Sequence, residues 1–131
     1  MPHALICTLR SGALPALKAL RAQHLAYIQA HLGEILIGGP ARDAQGRPET
    51  MIILLRTDDL AAAEAFIDAE PYAASGQVFS DVRVRAWTQV APEPSTGALA
   101  LAIAAERAAH AAASDNPEQP ATPADGRPRQ R

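Results

Sequence analysis

His24, Glu70, Arg21 and Tyr72 are of types that move protons or hold anions, and their surroundings in the sequence single them out. His24 lies in the run RAQHLAYIQAHL, residues 21–32. On a helical wheel of about 100° per residue, Leu17, Leu20, Tyr27 and Ile28 all fall within about 60° of it. A histidine centred on an apolar helical arc has two readings. It is a buried residue bonded only to backbone, or it is a general acid or base aimed into the interior. Arg21 stands one turn earlier near the same face. It is placed to hold an anionic substrate, or to pair with Glu34 or Asp68 at the surface, which is more common. His31 lies on the same arc near the helix end, where an imidazolium suits the dipole, and reads as structural. His3 and His110 have no constellation around them.

The acid sits in IDAEPYAASGQV, residues 67–78. Continued past the end of its helix, Glu70 falls between Ala63, Phe66 and Ile67, on the inner face. Pro71 then pushes residue 70 out of the α region and removes an N–H. The bend therefore sets the carboxylate at a fixed angle near whatever the helix packs on. If it meets His24, it holds the imidazole in one tautomer, the usual orienting role in proton transfer. If not, it is a helix-end acid in solvent. Tyr72 is a candidate wall of the same pocket, as are Gly39 and Pro40 of GGP. That GGP is no phosphate loop, because it lacks the glycine spacing and the following lysine; it signals close backbone approach. Cys7, in an apolar run, reads as core rather than nucleophile. No zinc-ligand spacing and no Gly-x-Ser-x-Gly is present.

The elements that must position these residues follow from periodicity. Residues 3–10 read as a strand, and 14–32 as a helix of about five turns with Gly33 as its C-cap. Residues 34–41 read as a strand, ARDAQGRPE at 41–49 as a turn or hairpin loop around Gly46, and 50–56 as a buried strand. Asp58 and Asp59 open a second helix, whose inner face is Leu60, Ala63 and Ile67. Residues 78–87 alternate as a half-buried strand, with Val78, Ser80, Val82, Val84 and Ala86 on one side. The order β-α-β-β-α-β is the ferredoxin-like plan of the α+β class: a four-stranded antiparallel sheet with both helices on one face. A second sheet face with apolar residues needs a cover, which points to a homodimer.

Composition sets limits. The 131 residues suffice for one ordinary domain. Aromatic residues are 4%, so the core is aliphatic, and a net charge of −2 gives no basic face for nucleic acid. The single cysteine excludes an intrachain disulfide framework and fits a reducing cytoplasm. The amino-terminal MPHALICTLR is too short and too polar at its flanks for a signal peptide, and no apolar run of about 18 residues suggests a membrane span. Six of the eleven prolines lie in 91–131. We therefore divide the chain into a domain at 1–90, an alanine-rich helical extension at 91–113 and a disordered tail at 114–131.

Taken in order, RAQHLAYIQAHL, GGP followed by DAQGR, EPYAASG and the closing VRVRAW resemble the YCII family of the dimeric α+β barrel superfamily, over about residues 3–88. The resemblance implies ferredoxin-like domains paired back to back, and a pocket beside a histidine–acid pair. Carried onto this sequence the pair is His24 and Glu70. The family's usual Asp-Pro-Phe/Tyr matches Glu70-Pro71-Tyr72, so glutamate replaces aspartate. Relatives resemble lactone isomerases and dehydrochlorinases. The expectation is a small cofactor-free enzyme doing acid–base isomerisation or elimination on a small organic acid. Its alternative is a non-catalytic ligand-binding or accessory homodimer. A third reading from the same superfamily is a haem-binding or monooxygenase-like barrel with His24 or His31 as ligand.

Overall fold

The computed structural model describes residues 1–114, and they form two compact units divided after Thr88. The first unit holds strand β1 (His3–Leu9), helix α1 (Leu14–Ala30), strands β2 (Ile35–Arg42) and β3 (Pro48–Leu55), helix α2 (Leu60–Ala69), the short helix α3 (Pro71–Ser75) and strand β4 (Phe79–Ala86). The sheet order is β2-β3-β1-β4, and every neighbouring pair is antiparallel. This is the expected α+β, ferredoxin-like arrangement.

Register divides the sheet residues between two faces. Leu5 and Cys7 of β1 lie opposite Ile53 and Met51 of β3, and opposite Val84 and Val82 of β4. Facing residues of an antiparallel pair share a side. That side carries the core, with Leu5, Cys7, Ile53 and Leu55 almost fully buried under Leu17, Ala63, Phe66 and Ile67 of the helices. Each large aliphatic buried this way contributes about 1.5–3 kcal/mol. On the other face, Ile6 pairs with Ile52, and Leu54 pairs with Ala4 and Ile37. Ile37 remains 65% exposed and Ile52 40% exposed there.

Three local expectations are corrected. Gly33 does not cap α1. His31 does, its N–H donating to the Ile28 carbonyl, and Gly33 sits inside a following single 3-10 turn, Leu32–Glu34. Leu60 is not on the inner face of α2: it is the first helical residue and half-exposed, and the buried stripe is Ala63, Phe66 and Ile67. The alternation of β4 slips at its start. Thr8 faces Asp81, but Leu9 faces Phe79, so Ser80 is an extra residue. This bulge turns Ser80 outward and puts Phe79, rather than Ser80, in the core beside Val78.

The second described unit, from Gln89, contains helix α4 (Ala98–Ser114). The carboxylate of Glu93 accepts from the N–H groups of Gly97 and Leu99, satisfying amides of the helix's first turn. Leu101 and Ile103 are exposed. The expected disordered tail lies outside the described residues beyond Ser114.

Candidate functional site

Glu70 ends one helix and begins the next. It is the C-cap of α2, its N–H donating to the Ile67 carbonyl, and the N-cap of α3. Its backbone is extended, φ −66° and ψ 130°, as the following Pro71 requires. One carboxylate oxygen, Oε2, accepts from the Ala73 N–H at 3.1 Å, which caps α3. Gly76, at φ 67°, closes α3 in the left-handed region that favours glycine.

The second oxygen serves His24. Oε1 lies 2.6 Å from His24 Nδ1, a short charge-assisted contact. Glu70 is fully buried, so the reading of a helix-end acid in solvent does not describe it. Its charge is met by one imidazole and one backbone amide, which offset the desolvation that an unpaired carboxylate would suffer. A carboxylate only accepts, so Nδ1 carries the proton of this bond. In the neutral ring that leaves a lone pair on Nε2. Among the described residues Nε2 has no hydrogen-bond partner, yet no buried side-chain nitrogen or oxygen goes unpaired. Nε2 therefore reaches solvent.

His24 lines a cleft of about 500 Å³ bordered by α1 and β2. Arg21, His24 and Tyr72 line it, and so do Gly39 and Pro40 of β2. Glu70 stands behind His24, outside the lining. The ring of Tyr72 stacks on His24, with centroids 4.1 Å apart and planes 10° from parallel. The close backbone approach expected of GGP is not required: a side chain at Gly38 would begin at an ordinary 3.4 Å contact with Ile53, and at Gly39 the space is open. Arg21 forms no ion pair among the described residues, so the pairings with Glu34 or Asp68 do not occur.

Several lining residues were not singled out from the sequence. Leu25 and Ile28 of α1, Leu32 of the 3-10 turn, Ile35 of β2, Met51 and Phe79 make the apolar wall, and Arg42 adds a second guanidinium. Ile28 already stood on the apolar arc around His24, and Leu25 and Leu32 were legible as large apolar residues near it. Arg42 follows a register irregularity between Ala41 and Arg42, so simple strand alternation could not have placed it.

The other titratable groups are committed elsewhere. The Tyr27 hydroxyl donates to the Phe66 carbonyl at 2.7 Å, tying α1 to α2. Burial, then the charges of Glu34 and Glu70, raise its pKa. His31 bonds the Tyr27 carbonyl through Nδ1 and packs on the Tyr27 and Phe66 rings. Burial, followed by the Glu70 and Asp81 charges, pushes the Cys7 thiol up to about 12, which disqualifies it as a nucleophile. No three His, Cys, Asp or Glu side chains among the described residues gather to hold a metal ion.

A ferredoxin-like α+β domain with a histidine–carboxylate contact behind an apolar cleft is what fold and geometry define. The chain belongs to the YCII-related domain family, which matches residues 1–88. Among solved structures it is similar in fold to 5-chloro-2-hydroxyhydroquinone dehydrochlorinase (TftG) from Burkholderia phenoliruptrix AC1100, in complex with 2,5-dihydroxybenzoquinone. That likeness has a TM-score of 0.63 and 21% identity, covering 69% of this chain and 96% of that one. Weaker likenesses are to protein Atu4242 from Agrobacterium tumefaciens, at TM-score 0.46 and 19% identity over 72% of this chain and 98% of that one, and to Rv0793 from Mycobacterium tuberculosis, at 0.44 and 22% over 70% and 99%. No curated protein matches the chain. No described helix is long and apolar enough to cross a membrane.

Proposed function

We propose that His24 and Glu70 form a cofactor-free proton-transfer dyad acting on a small organic acid held in the cleft. The observation that carries this reading is the 2.6 Å contact from Glu70 to Nδ1 of a histidine that lines the cleft. Nε2 takes a proton from a carbon beside a carbonyl. Glu70 stabilises the imidazolium that forms, and no further base is required. Returning the proton to another atom isomerises the substrate; loss of a leaving group from the carbanion is an elimination. The TftG likeness, to a dehydrochlorinase, makes elimination a class to try. Arg21 takes the substrate carboxylate, and Tyr72, Gly39 and Pro40 wall its body. Glutamate in place of the family's usual aspartate serves here, since its carboxylate reaches His24 while also capping Ala73.

The test is deuterium wash-in. A panel of C–H-acidic oxo acids is incubated with the protein in D2O, and loss of the carbon-bound proton is followed by NMR. The wild type exchanges at least one member above the buffer rate, and His24→Gln lowers that rate roughly 10²-fold or more. Equal rates in both proteins would overturn the reading.

A homodimer belongs to this proposal, because Ile6, Ile37, Ile52 and Leu54 present an apolar sheet face that a second copy can cover. The same face supports the second reading, a non-catalytic ligand-binding or accessory homodimer. Ligand binding with no His24-dependent exchange would favour it. A reducing cytoplasm is the compartment either reading assigns, on the single buried thiol.

A further inference from the structure

We propose that the Tyr72 hydroxyl is a second catalytic group of this cleft, donating a hydrogen bond to the oxyanion that develops on the substrate's carbonyl, and that the substrate class is an enolisable 2-oxo acid with an apolar body. The inference rests on the proton-transfer reading above and extends it.

Tyr72 is 4% exposed, and it lines the cleft. Among the described residues its hydroxyl has no hydrogen-bond partner, yet no buried side-chain oxygen is left unpaired. The oxygen must therefore sit at the accessible surface, and the cleft is the surface that Tyr72 lines. The chain has two tyrosines, and the other spends its hydroxyl on the Phe66 carbonyl. Stacking at 4.1 Å brings Tyr72 and His24 close enough for one small molecule to touch both polar atoms. One group accepts a proton through Nε2; the other donates a hydrogen bond. Proton abstraction beside a carbonyl needs that combination, because charge leaves the carbon and gathers on oxygen.

The remaining walls define the rest of the substrate. The cations lining the cleft are Arg21 and Arg42, and no Asp or Glu lines it. Arg42 donates to the Gly46 carbonyl at 2.9 Å, whereas Arg21 has no protein partner among the described residues. Arg21 is thus the group left for a carboxylate. Leu25, Ile28, Leu32 and Ile35 supply an apolar wall, and about 500 Å³ exceeds what a three-carbon acid fills.

The step balances without a co-reactant. Nε2 takes a proton from C3. The C3–H electron pair becomes the C2=C3 bond, and the carbonyl π pair moves to oxygen, where Tyr72 O–H donates to it. The proton on Nε2 then passes to that oxygen, giving the enol, or returns to C3. Burial raises the Tyr72 pKa, against a smaller lowering by Arg21, so the hydroxyl keeps its proton at neutral pH.

Tyr72→Phe keeps the ring and removes only the oxygen. The probes are phenylpyruvate, an enolisable 2-oxo acid, and trans-cinnamate, which shares its ring and carboxylate but lacks the carbonyl oxygen. Exchange at C3 of phenylpyruvate in D2O should fall roughly 10²-fold in kcat in Tyr72→Phe. Its KM should stay within about threefold, and the cinnamate Kd should not change. Full-rate exchange in Tyr72→Phe, with exchange still lost in His24→Gln, would overturn the Tyr72 role and leave the proton-transfer reading standing. Exchange of other panel members but not phenylpyruvate overturns the substrate class alone. If no oxo acid exchanges, both proposals fall.

Discussion

The ring of Tyr72 lies flat against the ring of His24, centroids 4.1 Å apart, two residues past the glutamate that bonds the Nδ1 edge of that imidazole. One Glu-Pro-Tyr bend thus grips His24 twice, by an acid at its Nδ1 and by an aromatic face. Tyr72 also packs edge-on to Phe79. Tyr72→Ala should cost about 3–5 kcal/mol in chemical denaturation, while Tyr72→Phe should cost under about 1 kcal/mol. A large loss in the phenylalanine variant would mean that the hydroxyl, not the ring, holds the fold.

Glu70 carries two bonds at once, so its loss should exceed that of a simple cap. Glu70→Ala removes the Ala73 cap and the His24 contact together. We expect a destabilisation of about 2–4 kcal/mol, measured by urea denaturation. Asp59→Ala removes only a cap, the bond from the Ala61 N–H, and should cost about 1 kcal/mol. If the two variants cost the same, the His24 contact adds nothing to stability.

Cys7 is fully buried and its thiol is raised from 9.0 to about 12, chiefly by burial. At pH 8 it should resist iodoacetamide in the native protein and react once denatured. The unfolded chain loses the thiol proton from pH 9 upward while the folded chain keeps it. Stability is therefore lost as pH rises through that interval up to about 12. Rapid native alkylation at pH 8 would contradict this placement.

Asp43 organises the β2–β3 turn. Its Oδ1 accepts from the N–H groups of Arg47 and Gln45, and the Arg47 side chain pairs with Oδ2 at 3.2 Å. These bonds, the Arg47 amide first, lower its pKa below the ordinary carboxylate value. The turn's contribution is present above the unfolded value and is lost as pH falls through the lowered folded one. Following the Arg47 amide shift with pH should place that midpoint below that of a free aspartate. A midpoint above it would contradict the bonding.

Much of this was legible because burial and backbone chemistry write themselves into short patterns. The apolar arc around His24 required an inward ring, and Pro71 required an extended Glu70. Neither pattern could give the distance between them, which depends on how α1 and α2 settle on the sheet. Leu60 was misplaced because a helix's first residue precedes its established stripe. Ser80 was misplaced because a bulge breaks strict alternation without any marker residue. Arg42 and the apolar cleft wall stayed hidden because a cleft is a relation between elements distant in sequence. The stacking of Tyr72 on His24 is of the same kind.

The proton-transfer dyad is tested most directly by the tautomer of His24, read from its ring 15N shifts by long-range NMR correlation. In the neutral ring the proton should sit on Nδ1, hydrogen-bonded to Glu70, with Nε2 bare. Glu70→Ala should remove the hydrogen-bonded signature. A neutral ring protonated at Nε2 with Nδ1 bare, or shifts indifferent to residue 70, would contradict it.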